Sequence, residues 1–140
     1  MRSMPVFAML LVAVSACKKN PFVSDWEKVQ VANNANFPVY VVPGYGPSWW
    51  MNAYPDVNLP SNRPNLTRIG ANSQDAIYSG KDWQEIFDEM PKDTLSFYFF
   101  NADTVDALPW SEVQSRYLVL LRKDYTFTTL TEAGFSLTYP

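Results

Sequence analysis

The sequence predicts a mainly β chain: an antiparallel, β-sandwich-like single domain with two or three short helices in its connections. An α+β domain is the second choice. Three observations carry this. About seven short segments are rich in β-branched and aromatic residues and are separated by Pro, Gly, Asn and Asp. Of the whole chain, 47% is apolar and 16% aromatic, which supports a core and argues against disorder. The strand-like segments do not alternate with long helical ones, so a doubly wound parallel sheet is not expected.

Taken in order, the chain begins with an address. Arg2 supplies a short positive start, Val6 to Val14 is almost wholly apolar, and the small residues Ser15 and Ala16 lead to Cys17, the chain's single cysteine. This is the layout of an export signal. The apolar run falls short of the roughly 18 residues that a spanning helix needs. Val14-Ser15-Ala16-Cys17 also resembles the bacterial lipobox, in which the cysteine is acylated and becomes the first residue. Each buried methylene is worth about 0.8 kcal/mol, so two or three acyl chains anchor firmly where one does not. The expected division is a signal peptide over 1–16, a lipidated tether over 17–25 and one globular domain over 26–140. With one cysteine, no disulfide forms within the chain.

"WEKVQVANN" alternates, with Trp26, Lys28 and Gln30 on one side and Glu27, Val29 and Val31 on the other. Asn33-Asn34 offers a turn, and "FPVYVV" follows, so an antiparallel hairpin is expected here. Pro38 marks a strand end or an edge. The stretch "PGYGPSWWMNAYPDVNLPSNRPN" holds too many prolines for a long regular element, yet too many large aromatics for a solvated loop. "LTRI" and "AIYS" are short strands around a turn at Gly70 to Asp75. Asp82-x-x-Glu85 opens a helix whose apolar face is Trp83, Ile86, Phe87 and Met90, and Pro91 stops it.

"TLSFYFF" is the strongest strand, closed by the polar turn "NADTVD". Pro109 suits the first turn of a short helix carrying Trp110 and Val113. "RYLVLLRKDYTF" is another strand, and Thr129-x-x-Glu132 before Gly134 bounds about one helical turn. The terminal "FSLTY" alternates, with Phe135, Leu137 and Tyr139 inward.

The chain has no histidine, which excludes Ser-His-Asp and Cys-His catalysis and any histidine-ligated metal. Asp103 and Asp106 are possible oxygen donors, but no Asp-x-Asp-x-Asp-Gly loop surrounds them. "FYFFNADTV" is similar to the nucleophile motif of the haloacid dehalogenases, except that Asn101 stands where the attacking carboxylate is needed. The acidic run from Asp82 to Asp93 lies mostly on the polar face of one helix. A net charge of −3 without a basic patch argues against nucleic acid. The aromatic loop remains: Tyr45, Trp49, Trp50 and Tyr54 either stack on a sugar or a protein partner, or fold back as a lid.

Several segments together, "AYPDVNLP", "FNADTVDALPWSEV", "RYLVLLRKDYTFTTL" and the terminal "LTYP", resemble a group of short lipoproteins of the Bacteroidota. Asn101 and Pro109 depart from the Asp and Ser commoner there. The resemblance implies a lipid anchor at Cys17 and carries over no activity. Acidic residues after the lipidated cysteine resemble a surface-export signal in those bacteria. Lys18-Lys19-Asn20 lacks them, which favours the periplasmic face of the outer membrane over the cell surface. The expected protein is thus a non-catalytic cell-envelope lipoprotein, held to the membrane by its lipid and contacting another protein. The alternative is a glycan-binding accessory module using the 45–54 loop. No metal, cofactor or nucleic-acid partner is expected.

Overall fold

The computed structural model describes residues 28–46, 54–55 and 58–140; Cys17, the tether, Trp26, Trp49 and Trp50 lie outside the described residues. Among the described residues there are seven strands in two sheets and four short α-helices, a mainly β sandwich with some α+β character.

The strands are β1 (Lys28–Asn33), β2 (Val39–Pro43), β3 (Thr67–Ile69), β4 (Ser73–Tyr78), β5 (Thr94–Asn101), β6 (Leu121–Thr126) and β7 (Ser136–Tyr139). Sheet A has the order β4-β1-β7 and sheet B the order β3-β2-β5-β6. All pairings are antiparallel except β1 with β7, which run parallel. The inward valines of β1 meet Val39 and Val41 of β2, Ile77 of β4, Phe97 and Phe99 of β5, and Leu137 of β7 in one core between the sheets. Phe135 and Tyr139 pack against it, and the Tyr139 ring stacks on Phe99 at 5.5 Å, so the terminal strand is built as its alternation predicts. The Lys123 ammonium donates to the Thr138 carbonyl at 2.6 Å and fastens the β6 edge to β7.

The expected β1–β2 hairpin does not form: β1 belongs to sheet A and β2 to sheet B. The reason is Asn33. Its side chain is buried, donates from Nδ2 to the Phe37 and Gly70 carbonyls at 2.8 and 2.9 Å, and accepts from the Ala35 amide at 3.0 Å. The chain is thereby turned across to the other sheet. "LTRI" and "AIYS" are divided the same way, β3 in sheet B and β4 in sheet A. Asn33 bonds to both crossings, and the Asn72 amide adds a bond to the Ala35 carbonyl at 2.9 Å. Asn72 takes a φ of 47°, a conformation that asparagine tolerates better than most residues.

Helix α1 (Trp83–Glu89) begins as expected, with the Asp82 carboxylate accepting from the Gln84 amide at 2.7 Å. Its Trp83, Ile86 and Phe87 are fully buried and close one end of the core, where Phe87 meets Phe127 of α4 (Phe127–Glu132) edge-on at 5.8 Å. Helix α4 starts earlier than expected because Thr126, not Thr129, is its cap; the two threonines form a reciprocal capping box. Gly134, at φ 64°, and the Phe135 amide bonded to the Leu130 carbonyl end it and turn the chain into β7.

Strand β5 is buried at every position from Leu95 to Phe100 because both faces of sheet B are covered. Its Leu95, Phe97 and Phe99 face sheet A, while Tyr98 and Phe100 join Val42, Leu59, Val105 and Val113 in a second cluster under α2 (Ala102–Ala107) and α3 (Trp110–Ser115). The stretch after Asn101, expected to be a polar turn, is thus helical. The Asn101 side chain caps it by accepting from the Thr104 amide at 2.9 Å. The strand expected over 116–127 is also shorter, since the chain turns from Arg116 to Leu120 first. Tyr117 has φ 49°, and the Leu118 amide bonds back to Val113 before the Leu120 amide reaches Phe99.

Candidate functional site

The aromatic loop leaves the end of β2. The Gly44 amide donates to the Ser96 carbonyl at 2.7 Å, carrying the β2–β5 pairing past Pro43. Tyr45 then packs, half-buried, against the core between the sheets. The Lys81 ammonium lies 5.3 Å from its ring centroid and pairs with Glu89 at 2.8 Å. The bonds to Glu89 and then to Tyr45 raise the Lys81 pKa above its ordinary value.

Tyr54 ends up elsewhere. Its ring lies under the Arg122 guanidinium, 5.7 Å from centroid to Cζ. Arg122 and Asp124 alternate on β6 with Leu121 and Tyr125, which join the inner core. They stand opposite Tyr98 and Ser96 of β5, on the outer face of sheet B. The structure therefore places Tyr45 and Tyr54 on opposite faces of sheet B and does not unite them in one platform. Trp49 and Trp50, between them in sequence, lie outside the described residues.

Around Tyr54 the polar groups are tightly paired. Arg122 donates from Nε and Nη2 to the two Asp124 oxygens at 2.7 and 2.9 Å, and the Ser96 hydroxyl donates to the same carboxylate at 2.6 Å. Burial opposes ionisation of Asp124, but Arg122 and Ser96 outweigh it and hold the carboxyl below its ordinary value. The bond to Asp124 raises the Arg122 pKa, and burial pushes the Tyr98 phenol up. A carboxylate so stabilised is a weak base. The cluster is fitted to hold an arginine still and offer its remaining donors rather than to move protons.

Beside this cluster, on the turn between α3 and β6, Tyr117 and Leu120 are 40% and 43% exposed. Tyr117 is close enough to Arg122 and Tyr98 to affect their ionisation. These two residues were not singled out from sequence, because "RYLVLL" looks like a strand; the one hint is that Tyr117 continues the helical spacing from Val113.

The aspartates weighed as metal donors are held by arginines and a tyrosine. Tyr40 donates to both oxygens of Asp106 at 3.0 and 3.1 Å, Arg63 reaches Asp106 at 3.2 Å, and Arg68 lies 3.9 Å from Asp103. Among the described residues no group of three or more carboxylate, cysteine or histidine side chains is placed to hold a metal ion. Nor is any described helix long and apolar enough to cross a membrane. Compared with family models, curated proteins and solved structures, the chain matches none.

Proposed function

We propose that the protein is a non-catalytic cell-envelope lipoprotein, acylated at Cys17 and facing the periplasm, whose domain contacts another protein through the turn between α3 and β6. The observation that carries the contact is the exposure of Tyr117 and Leu120 together on one turn. Backbone bonds at Tyr117, Leu118, Val119 and Leu120 fix that turn, so presenting it costs little ordering. Tyrosine and arginine dominate the energetics of protein contacts, and Arg116 and Arg122 flank the pair. The lipid half of the reading rests on "VSAC" after an apolar run.

Two measurements test it. Mass spectrometry of the membrane-extracted protein should find a diacylglyceryl cysteine at its N-terminus, and Cys17→Ser should stop processing or release the protein. A photo-crosslinking residue at position 117 should give one discrete protein adduct in intact envelopes, absent from Leu120→Ser and from a probe at position 128. No adduct from the acylated protein, or the same adducts from both probe positions, would remove the contact reading. The alternative, a glycan module, is favoured by one observation: the Tyr54 ring lies beside the fixed Arg122–Asp124 pair, and rings next to paired donors and acceptors suit sugars. It predicts that Tyr54→Ala weakens binding to a polysaccharide.

A further inference from the structure

A sheet edge presents backbone amides and carbonyls to any strand that can align with them. Among the described residues the edges are β3 and β6 of sheet B and β4 and β7 of sheet A. Strand β3 has three residues, too few to template another strand. Lys123 stands on the inward side of β6 between Leu121 and Tyr125, and its bond to the Thr138 carbonyl joins the β6 edge to the β7 edge. Strand β4 runs for six residues on the opposite flank. The Gln30 amide donates to the Phe135 carbonyl at 2.8 Å, so Gln30 turns its backbone from β4, and its register partner Ala76 turns its own outward. By the same alternation Gln74 and Tyr78 also face outward along the edge. One side chain acts on this row. Asp75 is the single charged residue from Gly70 to Gly80. Its register partner is the buried Val31, so it stands on the inward side of β4 with Ile77, yet it is exposed. Its carboxylate accepts from the outward Ala76 amide at 2.8 Å, at the centre of the row that an added strand would need.

We propose that Asp75 keeps the β4 edge from pairing with a second copy of this chain. The strand's own register selects that occupant. Two antiparallel copies of β4, related by a two-fold axis at Ala76, set Ala76 against Ala76 and Gln74 against Tyr78, so each outward amide and carbonyl meets a partner. The other residues of β4 are uncharged and include neither proline nor glycine, a composition that favours strand addition. Asp75 opposes the pairing in three ways. Its carboxylate already holds the central Ala76 amide. In the pair it would face Ile77 of the other copy, and moving a carboxylate from water against an apolar side chain is costly. The two Asp75 carboxylates would also approach each other across the axis, and like charges in one interface repel. The two flanks of the sandwich are thus closed by inward-side charges of opposite sign, Lys123 by a bond to β7 and Asp75 by its charge and its hold on Ala76. This device is independent of the acyl anchor and of the contact at Tyr117, which lies on the turn leading into β6.

Light scattering of the full chain in detergent, at less than one chain per micelle, tests the proposal. Wild type should be monomeric. Asp75→Val should dimerise at least about tenfold more tightly than wild type, because opposed and desolvated charges cost more than one factor of ten in affinity. Asp75→Thr should do the same. Asp75→Asn, which keeps an acceptor for the Ala76 amide and loses the charge, should fall between. Asp88→Val, which removes an exposed carboxylate from α1 instead, should stay monomeric. Ala76→Cys locates the contact: on oxidation it should link two copies when combined with Asp75→Val and not when Asp75 is present. Each oxidised sample is compared with the same chain lacking Ala76→Cys, which accounts for any bond through Cys17. Asp75 is exposed, so its variants should fold, and a cooperative melt for each establishes that. Folded Asp75→Val and Asp75→Thr that both remain monomeric overturn the proposal. So does a dimer that Ala76→Cys fails to link, and so does a wild type already paired through position 76.

Discussion

Sheet B's outer face is roofed by α2, α3 and the segment around Leu59, and the polar groups beneath and beside the roof are paired: Ser96, Arg122, Asp124, Trp110 and Gln114 each have partners. On sheet A's outer face Gln30, Gln74, Tyr78, Ser136 and Thr138 are exposed instead, while Ala76 beside them is buried. The difference is physical rather than decorative. A polar group taken out of water without a bond costs about 1–3 kcal/mol, so covering a face is favoured where such groups find partners. A face left open has no such requirement, and its unengaged groups remain available to water or a ligand.

The largest effect should come from breaking sheet A itself. Truncation after Gly134 removes β7, its bonds to β1 and the inward side chains of Phe135, Leu137 and Tyr139. The shortened chain should lose its cooperative thermal transition by circular dichroism. If it melted where the full chain melts, β7 would be an appendage and not part of the sandwich.

On the roofed face, Phe100→Ala should cost about 3–5 kcal/mol in urea unfolding, the usual range for a buried phenylalanine. A cost below about 1 kcal/mol would mean that the helices rest on sheet B without stabilising it. Asp124→Asn should cost less, about 1 kcal/mol, because the pair is partly open to solvent. Its pH dependence has a definite sign. The folded carboxyl titrates below the ordinary value of about 3.9, so its contribution is fully present above that pH. It is lost as the pH falls through the lower, folded value. Stability curves of wild type and variant should therefore stay apart at neutral pH and converge in acid; curves that differ most in acid would contradict the assignment. The smallest effect belongs to exposed positions on the outer face of sheet A: Gln30→Ala and Gln74→Ala should each change stability by no more than about 0.5 kcal/mol. A larger loss would show that these side chains hold the sheet together after all.

Much of the strand set was legible because period two survives wherever one face is buried and the other is not. Val29 and Val31 in β1 and Leu137 in β7 show it plainly. Helix α1 was legible because its cap, its apolar spacing and its proline stop agree. Helix α2 was not, since six residues carrying one large apolar side chain, Val105, cannot display a helical period. The candidate site was legible only in part. Tyr45 and Tyr54 were identified from sequence, while their separation by sheet B and the exposed pair Tyr117 and Leu120 were not.

By itself, the sequence determined that the chain would be mainly β, that it would have a helix opening at Asp82 and an inward-facing terminal strand, and that histidine chemistry would be closed to it. These depend on composition and on patterns within a few residues. Tertiary structure alone decided that β1 and β2 part company, that β7 lies parallel to β1, and that the aromatic loop's two ends fall on opposite faces. Alternation says which side of a strand is apolar, but an apolar side looks the same whichever sheet receives it. The choice was made by contacts distant in sequence, above all by one buried asparagine whose amide bonds to carbonyls 4 and 37 residues away.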